Sequence, residues 1–207
     1  MNKNNIEFKI ITLGESGVGK TSILKRFAYN IFEDNVITTI GMVFSHKEIV
    51  LKNNITIKLK LMDTSGQERY KSLSKSYFKN ADGVFFVFAL NNMDSFEDLK
   101  NWIDEFKNNN SLSSVIPKYL VGNKSDLSNT NITETSIKQF KEEYNMDYYE
   151  ISAKTNKNID KLFQDMGEIL YDNYKNSGAI KGIQLKNKNI NEKKKKACCD
   201  QTISVDV

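Results

Sequence analysis

The octapeptide Gly14-Glu15-Ser16-Gly17-Val18-Gly19-Lys20-Thr21 constrains this chain more than any other stretch. Two glycines separated by four residues, then Lys and a hydroxyl residue, make the P-loop pattern, here between an apolar run, Phe8 to Leu13, and a helical one. Glycines let successive backbone N–H groups turn inward and form a concave nest for phosphate oxygens at the positive end of the following helix. Lys20 would reach terminal phosphates and the Thr21 hydroxyl would bind Mg²⁺. From this chain's own residue frequencies, chance yields such a pattern in about one chain in a hundred of this length, before a flanking strand and helix are required.

A chain of 207 residues suits one compact core. Charge is informative once divided. Residues 1–175 hold 23 Lys+Arg against 23 Asp+Glu, whereas residues 176–207 hold seven Lys against three acids. The excess positive charge is therefore all in the tail, so a nucleic-acid-binding face on the domain is not expected, and attraction of the tail to an anionic surface is. Both cysteines, Cys198 and Cys199, lie in the tail as well, leaving no disulfide framework in the domain. No apolar run approaches the roughly 18 residues of a membrane span, and the N-terminus lacks a secretory apolar core. A cytosolic protein is expected.

Apolar patterning reads as alternating strands and helices. Phe8 to Leu13 is a strand and Thr21 to Tyr29 a helix. Glu33 to Gly41 has neither period. Val43 to Leu51 and Ile55 to Leu61 alternate around Lys52-Asn53-Asn54 and make a hairpin whose second strand ends at Asp63. Val84 to Leu90 is apolar without alternation, as expected of a strand covered on both faces. Asp94 is placed to cap one helix carrying Phe96, Leu99, Trp102, Ile103 and Phe106. Tyr119 to Gly122 is a strand, Thr133 to Tyr144 a helix, Tyr148 to Ile151 a strand, and Ile159 to Leu170 carries the stripe of a last helix. Beyond about Asn176 the periodicity stops, and a disordered tail is expected. The fold class is thus α/β: a doubly wound, mostly parallel six-stranded sheet with helices on both faces, binding ligands at the carboxyl ends of its strands.

Each polar cluster follows such a strand. Asp63-Thr64-Ser65-Gly66-Gln67-Glu68 puts an acid where it can hold Mg²⁺ directly or through water, a glycine whose N–H can turn toward a γ-phosphate, and Gln67 where it can orient a water. Asn123-Lys124-Ser125-Asp126 alone would arise by chance about once in five such chains. Its position gives it weight, because a carboxylate at a strand mouth accepts both guanine N1–H and N2–H₂, a donor pair adenine lacks. Ser152-Ala153-Lys154 would close that pocket with a backbone N–H aimed at guanine O6. His46, the only histidine, sits on the hairpin and reads as a surface residue.

In this order and on these strand ends, the four clusters resemble the small GTPases over residues 7 to about 175. Within them the chain is most similar to the Rab branch: Ser16 in the P-loop, Thr38-Thr39-Ile40-Gly41 in the first switch, Gln67-Glu68-Arg69-Tyr70 in the second, Tyr77-Phe78-Lys79-Asn80-Ala81 after it, and two adjacent cysteines near the end. The resemblance implies a P-loop GTPase domain over residues 1–175, followed by a basic tail over 176–207. It implies a switch that binds GTP and GDP, hydrolyses GTP slowly without an activating protein, and regulates vesicle traffic.

The implied nucleotide contacts come from Gly14, Glu15, Ser16, Gly17, Val18, Gly19, Lys20, Thr21, Ser22, Phe32, Thr39, Asp63, Gly66, Asn123, Lys124, Asp126, Ser152, Ala153 and Lys154. Phe32 would support the guanine edge and Lys124 would lay its stem over the base. Mg²⁺ would be held by Thr21, Thr39 and Asp63, and catalysis would rest on Gln67 and Lys20. Neither arginine, Arg26 on the first helix or Arg69 in the second switch, reads as an arginine finger. Implied partners are an exchange factor, a GTPase-activating protein and effectors, all acting through Ile31 to Phe44 and Thr64 to Ala81.

The chain departs from the usual Rab pattern at Met42-Val43, Met62, Ser65 and Ala89, so the aromatic group that effectors read becomes Phe44, Met62 and Tyr77. Eight residues follow Cys199, and no CaaX box is present. Lys193 to Lys196 beside Cys198 and Cys199 still fit two-signal anchoring, each basic residue adding about 1 kcal/mol to a lipid chain. This implies a peripheral protein on the cytosolic face of a membrane. The rival readings are another Ras-superfamily branch, a GTP-binding scaffold without turnover, a P-loop kinase or ATPase that Asp126 argues against, and a nucleic-acid binder acting through the tail.

Overall fold

A computed structural model of the chain describes residues 6–34, 43–63, 78–110 and 115–177, apart from the side chain of Val43. The expected Thr39, Gly66, Gln67, Tyr77, Cys198 and Cys199 lie outside the described residues, as does Arg69. By internal contacts the chain divides into Met1–Leu170 and Tyr171–Val207. Of the second unit residues 171–177 are described; they are helical, and Lys175 pairs with Asp172 at 2.9 Å and sits over the Tyr171 ring.

In the first unit the strands are β1 (Glu7–Leu13), β2 (Val43–Val50), β3 (Thr56–Asp63), β4 (Gly83–Ala89), β5 (Lys118–Asn123) and β6 (Asp147–Glu150). They form one sheet of order β2-β3-β1-β4-β5-β6, antiparallel between β2 and β3 and parallel elsewhere. The helices are α1 (Lys20–Tyr29), α2 (Met93–Glu97), α3 (Leu99–Asn109), α4 (Glu134–Tyr144) and α5 over residues 159–170. This is the expected doubly wound architecture.

β4 shows why its sequence does not alternate. All seven of its residues are buried, and successive side chains enter opposite layers. Phe85 meets Phe163 of α5 edge-on at 5.2 Å, while Phe86 meets Phe106 of α3 at 6.1 Å. With an apolar layer on each side, every position must be apolar. One layer joins Ile11, Leu13, Met62, Phe86 and Phe88 to α2, α3 and α4. In the other, Phe27 of α1 stacks on Phe163 with ring centroids 3.7 Å apart.

The hairpin turn is set by Asn54 at φ 60° and closed by Leu51 N–H donating to Ile55 O at 2.8 Å. Asparagine tolerates this left-handed conformation because its short polar side chain bonds locally. His46 is exposed on β2, 3.7 Å from a Glu7 carboxylate oxygen. Phe44 is 56% exposed with Lys60 Nζ over its ring, whereas Met62 is 5% exposed, so of these two only Phe44 is presented to a partner. Among the described residues no helix is long and apolar enough to cross a membrane.

One expectation is corrected. The single helix capped by Asp94 is two helices, α2 and α3, and the cap is Asn92. Asn92 Oδ1 accepts the Ser95 N–H at 3.1 Å, and the Ser95 hydroxyl donates back to Asn92 O at 2.7 Å. Asp94 falls instead in the first turn, where a negative charge suits the helix dipole without making a cap. The division falls at Asp98, whose carbonyl accepts from Asn101 three residues on, a tighter turn that leaves the apolar stripe intact. Asn92→Ala is expected to cost about 1 kcal/mol, and Asp94→Ala only about 0.3 kcal/mol. The shift in urea midpoint at unchanged slope separates them.

Candidate functional site

β1 lies between β3 and β4, so the chain leaves its carboxyl end where the strand order reverses, and a crevice opens there in any sheet of this kind. The P-loop occupies that exit. Gly14 has φ 144°, and a Cβ built on it would lie 2.0 Å from Val87 O, so the loop can pass this close to β4 only with glycine. Gly19, at φ 96°, is the N-cap residue just before α1, and no side chain caps that helix. The helix therefore presents its positive end toward the loop. Lys20 is 2% exposed, and its ammonium donates to Gly14 O at 2.6 Å and to Glu15 O at 2.7 Å. A buried cation is tolerable only when held in this way. Thr21 follows on α1 with 9% exposure, and Asp63 ends β3 with 4%.

Across the crevice, Asn123 ends β5. Its carboxamide is 2% exposed and works in both directions: Nδ2 donates to Val18 O in the P-loop at 2.8 Å, and Oδ1 accepts the Ala153 N–H at 3.1 Å. A single side chain thus joins the phosphate loop to the loop after β6. Lys124 holds φ 67°, and burial keeps its ammonium below the usual lysine value, with Asp126 partly offsetting this. Asp126 is exposed, and its Oδ1 accepts the Ser152 hydroxyl at 2.6 Å. Ser152 Oγ also accepts the Thr155 N–H at 3.1 Å, which fixes the rotor. One carboxylate oxygen is thereby anchored and the group is oriented, the condition for recognising a planar donor pair.

The structure therefore brings Gly14 to Ser22, Asn123, Lys124, Asp126, Ser152 and Ala153 to the same end of the sheet, with Asp63 on the neighbouring β3. Lys154 is exposed, and its ammonium meets Asp34 Oδ1 at 3.2 Å. Phe32 is half-buried, its ring centre 5.8 Å from Arg26 Cζ. Two links were not foreseen. Trp102 of α3 donates its indole N–H to Glu15 Oε1 at 3.1 Å, tying the P-loop to the helical layer. Arg26 donates from Nε to Ala153 O at 2.8 Å, and from Nη2 to Lys154 O at 3.1 Å. These pairs are 87 and 127 or more residues apart, so no local pattern announces them. The one hint was Trp102 itself, a polar-tipped aromatic on a buried stripe, which needs an acceptor.

The donor set suits Mg²⁺. That ion keeps several waters and takes one or two protein oxygens plus phosphate oxygens, so it needs no carboxylate cage. Among the described residues no three His, Cys, Asp or Glu side chains converge, while a hydroxyl (Thr21) and a carboxylate (Asp63) stand at adjacent strand exits.

The family model described as Ras family matches residues 9–172, most of the chain. The chain belongs to the Ras family. Among its relatives, the Ras-related protein Rab-5B of Plasmodium falciparum is 38% identical over 174 residues, covering 84% of this chain and 83% of its own. The GTP-binding protein YPT52 of Saccharomyces cerevisiae is 36% identical, covering 81% and 83%, and the Ras-related protein Rab-1D of Dictyostelium discoideum is 39% identical, covering 77% of each. This Ras-family chain is thus a Rab-like small GTPase, a GTP-binding and GTP-hydrolysing switch.

Two substitutions test the crevice. Asn123→Ala leaves Val18 O and Ala153 N–H buried without their partner, each worth about 1–3 kcal/mol, and is expected to weaken GDP binding at least about tenfold in equilibrium titration. Gly14→Ala, which drives a Cβ into backbone, is expected to lower the thermal midpoint far more than Gly17→Ala, where the added carbon meets nothing within 4 Å and only the left-handed strain of roughly 1–2 kcal/mol remains.

Proposed function

We propose that this GTPase selects guanine through Asp126 and cleaves GTP with groups on both sides of the crevice, acting as a switch in vesicle traffic. The observation that carries the proposal is the anchored carboxylate: Asp126 is exposed at the mouth of β5, with one oxygen fixed by Ser152 at 2.6 Å. A carboxylate held in this way accepts guanine N1–H and N2–H₂ together, with the Lys124 stem against the base and the Ala153 loop at O6. Phe32 closes the edge.

At the other end, P-loop amides from Glu15 to Ser22 hold the phosphates, and the Lys20 ammonium supplies charge beside the terminal ones. Hydrolysis is in-line attack of water: a bond forms between its oxygen and the γ-phosphorus as the bond to the bridging β–γ oxygen breaks. Charge appearing on the leaving oxygen is met by Lys20 and the loop amides, groups already in place before reaction. Gln67 orients the water, and the Gly66 N–H meets the γ-phosphate. Thr21, Thr39 and Asp63, the last directly or through water, would hold Mg²⁺, which would supply positive charge at the phosphates. Losing the γ-phosphate removes the ligand that Thr39 and Gly66 share, and this releases both switches from it.

Arg26 already donates to carbonyls at 153 and 154, which supports its having no role as a finger. An activating protein is therefore expected to raise the rate roughly 10³ to 10⁵-fold. The partners, an exchange factor, the activating protein and effectors, would engage Ile31 to Phe44 and Thr64 to Ala81. Residues 1–175 would form the GTPase domain. The tail, residues 176–207, would bring it to the cytosolic face of a membrane through Lys193 to Lys196 and lipid on Cys198 and Cys199.

Two measurements test this. Asp126→Asn is expected to lower GDP affinity on the order of a hundredfold or more and to raise affinity for the xanthosine nucleotide, in competition titrations with Mg²⁺. Unchanged selectivity overturns the base assignment. Gln67→Leu is expected to abolish stimulated cleavage while leaving GTP bound; single-turnover phosphate release reads it.

A further inference from the structure

The guanidinium of Arg26 is engaged on three sides. Nε and Nη2 donate to the carbonyls of Ala153 and Lys154, at 2.8 and 3.1 Å. On its third side, Nη1 donates to Asn30 O at 3.1 Å and to Asn30 Oδ1 at 3.2 Å. Asn30 ends α1 in the left-handed conformation, φ 56°, and returns its own N–H to Arg26 O at 2.9 Å. The ring of Phe32, two residues on, lies 5.8 Å from the guanidinium carbon. One side chain therefore fixes both the direction in which the chain leaves α1 and the back of the loop whose front lies at the base.

The loop is held from opposite directions. Ala153 N–H goes to Asn123 and Ala153 O to Arg26. Two other contacts join or brace the same segments, Lys154 to Asp34 at 3.2 Å and Lys25 to Glu33 at 2.8 Å, but all four of those side chains are substantially exposed. Exposed ion pairs contribute little, because solvent screens them. The four guanidinium bonds are charge-assisted and share one rigid planar group, with the Nε bond to Ala153 O partly buried and the other three at the surface. Among the described residues Arg26 thus makes the most bonds joining these walls. A lysine could not replace it, because one ammonium nitrogen cannot occupy three positions of a planar fork.

We infer that Arg26 is a positioning residue that sets how long guanine nucleotide stays bound, clasping the Asn30–Phe32 segment to Ala153–Lys154 without touching the nucleotide. The base leaves when these two walls part, so the clasp must open before release. This rests on the guanine-pocket reading above and adds to it a determinant of the dissociation rate.

The test uses the full chain loaded with a fluorescent GDP, chased with excess GDP in the presence of Mg²⁺. Arg26→Lys and Arg26→Gln are each expected to raise the dissociation rate at least about tenfold, equivalent to about 1.4 kcal/mol. The association rate should stay within about threefold. Chelating Mg²⁺ should accelerate release by the same factor in variant and unmodified protein, since the clasp lies at the base end and the metal at the phosphate end. Lys25→Ala, which breaks an exposed pair nearby, should stay within about twofold of the unmodified rate. If Arg26→Lys folds, as shown by its urea transition, and releases GDP within twofold of the unmodified rate, the inference is overturned. A general loosening, in which association slows as much as dissociation quickens or Lys25→Ala matches Arg26→Lys, overturns it too. If the unmodified chain fails to retain GDP at all, the pocket reading fails instead, and the two failures are distinct.

Discussion

The carboxamide of Asn123 is the interaction on which the site depends. The loops after β1 and β6 follow strands that are not adjacent in the sheet, and among the described residues no backbone hydrogen bond joins them. Asn123 at the end of β5 spans them, donating to one and accepting from the other. Asparagine does both with one rigid planar group. An aspartate would present two acceptors, one of them toward the Val18 carbonyl, and would repel it. The close approach has a second consequence: a Cβ on Gly19 would lie 2.4 Å from Asn123 Nδ2, so this neighbour also demands the final glycine of the loop.

Beneath the site, the sheet supplies rigidity through burial. β4 carries Phe85, Phe86 and Phe88, each 0% exposed and each packed on a different aromatic partner. Rings locked in this way have little freedom to shift, and β1 and β5, paired to β4 on either side, inherit its position. The loops at their carboxyl ends therefore start from fixed points, which lets short polar side chains reach each other within hydrogen-bonding distance.

Most of this was legible in the sequence where local rules apply. The unbroken apolar run of β4, the alternation around Lys52-Asn53-Asn54 and the stripe of residues 159–170 each follow from the period of one element. The family was legible because the four motifs place particular residue types at particular spacings. The helix start at Asn92 was misread, since Asn92 and Asp94 are both good caps on propensity and only the bond to Ser95 decides between them. Arg26 was placed on the first helix and set aside as an arginine finger, with no tertiary role assigned to it. Its partners lie far along the chain, and main-chain carbonyls carry no residue signature, so nothing in composition or period could point to them.

The link between Glu15 and Trp102 gives the molecule a property of another kind. Trp102 is the sole tryptophan, and its indole N–H is bonded to a carboxylate on the P-loop itself. Indole emission is sensitive to the polarity and charge beside the ring, so the protein carries its own optical reporter. Rearrangement of that loop around an incoming phosphate would be visible as a change in intrinsic fluorescence, with no dye attached.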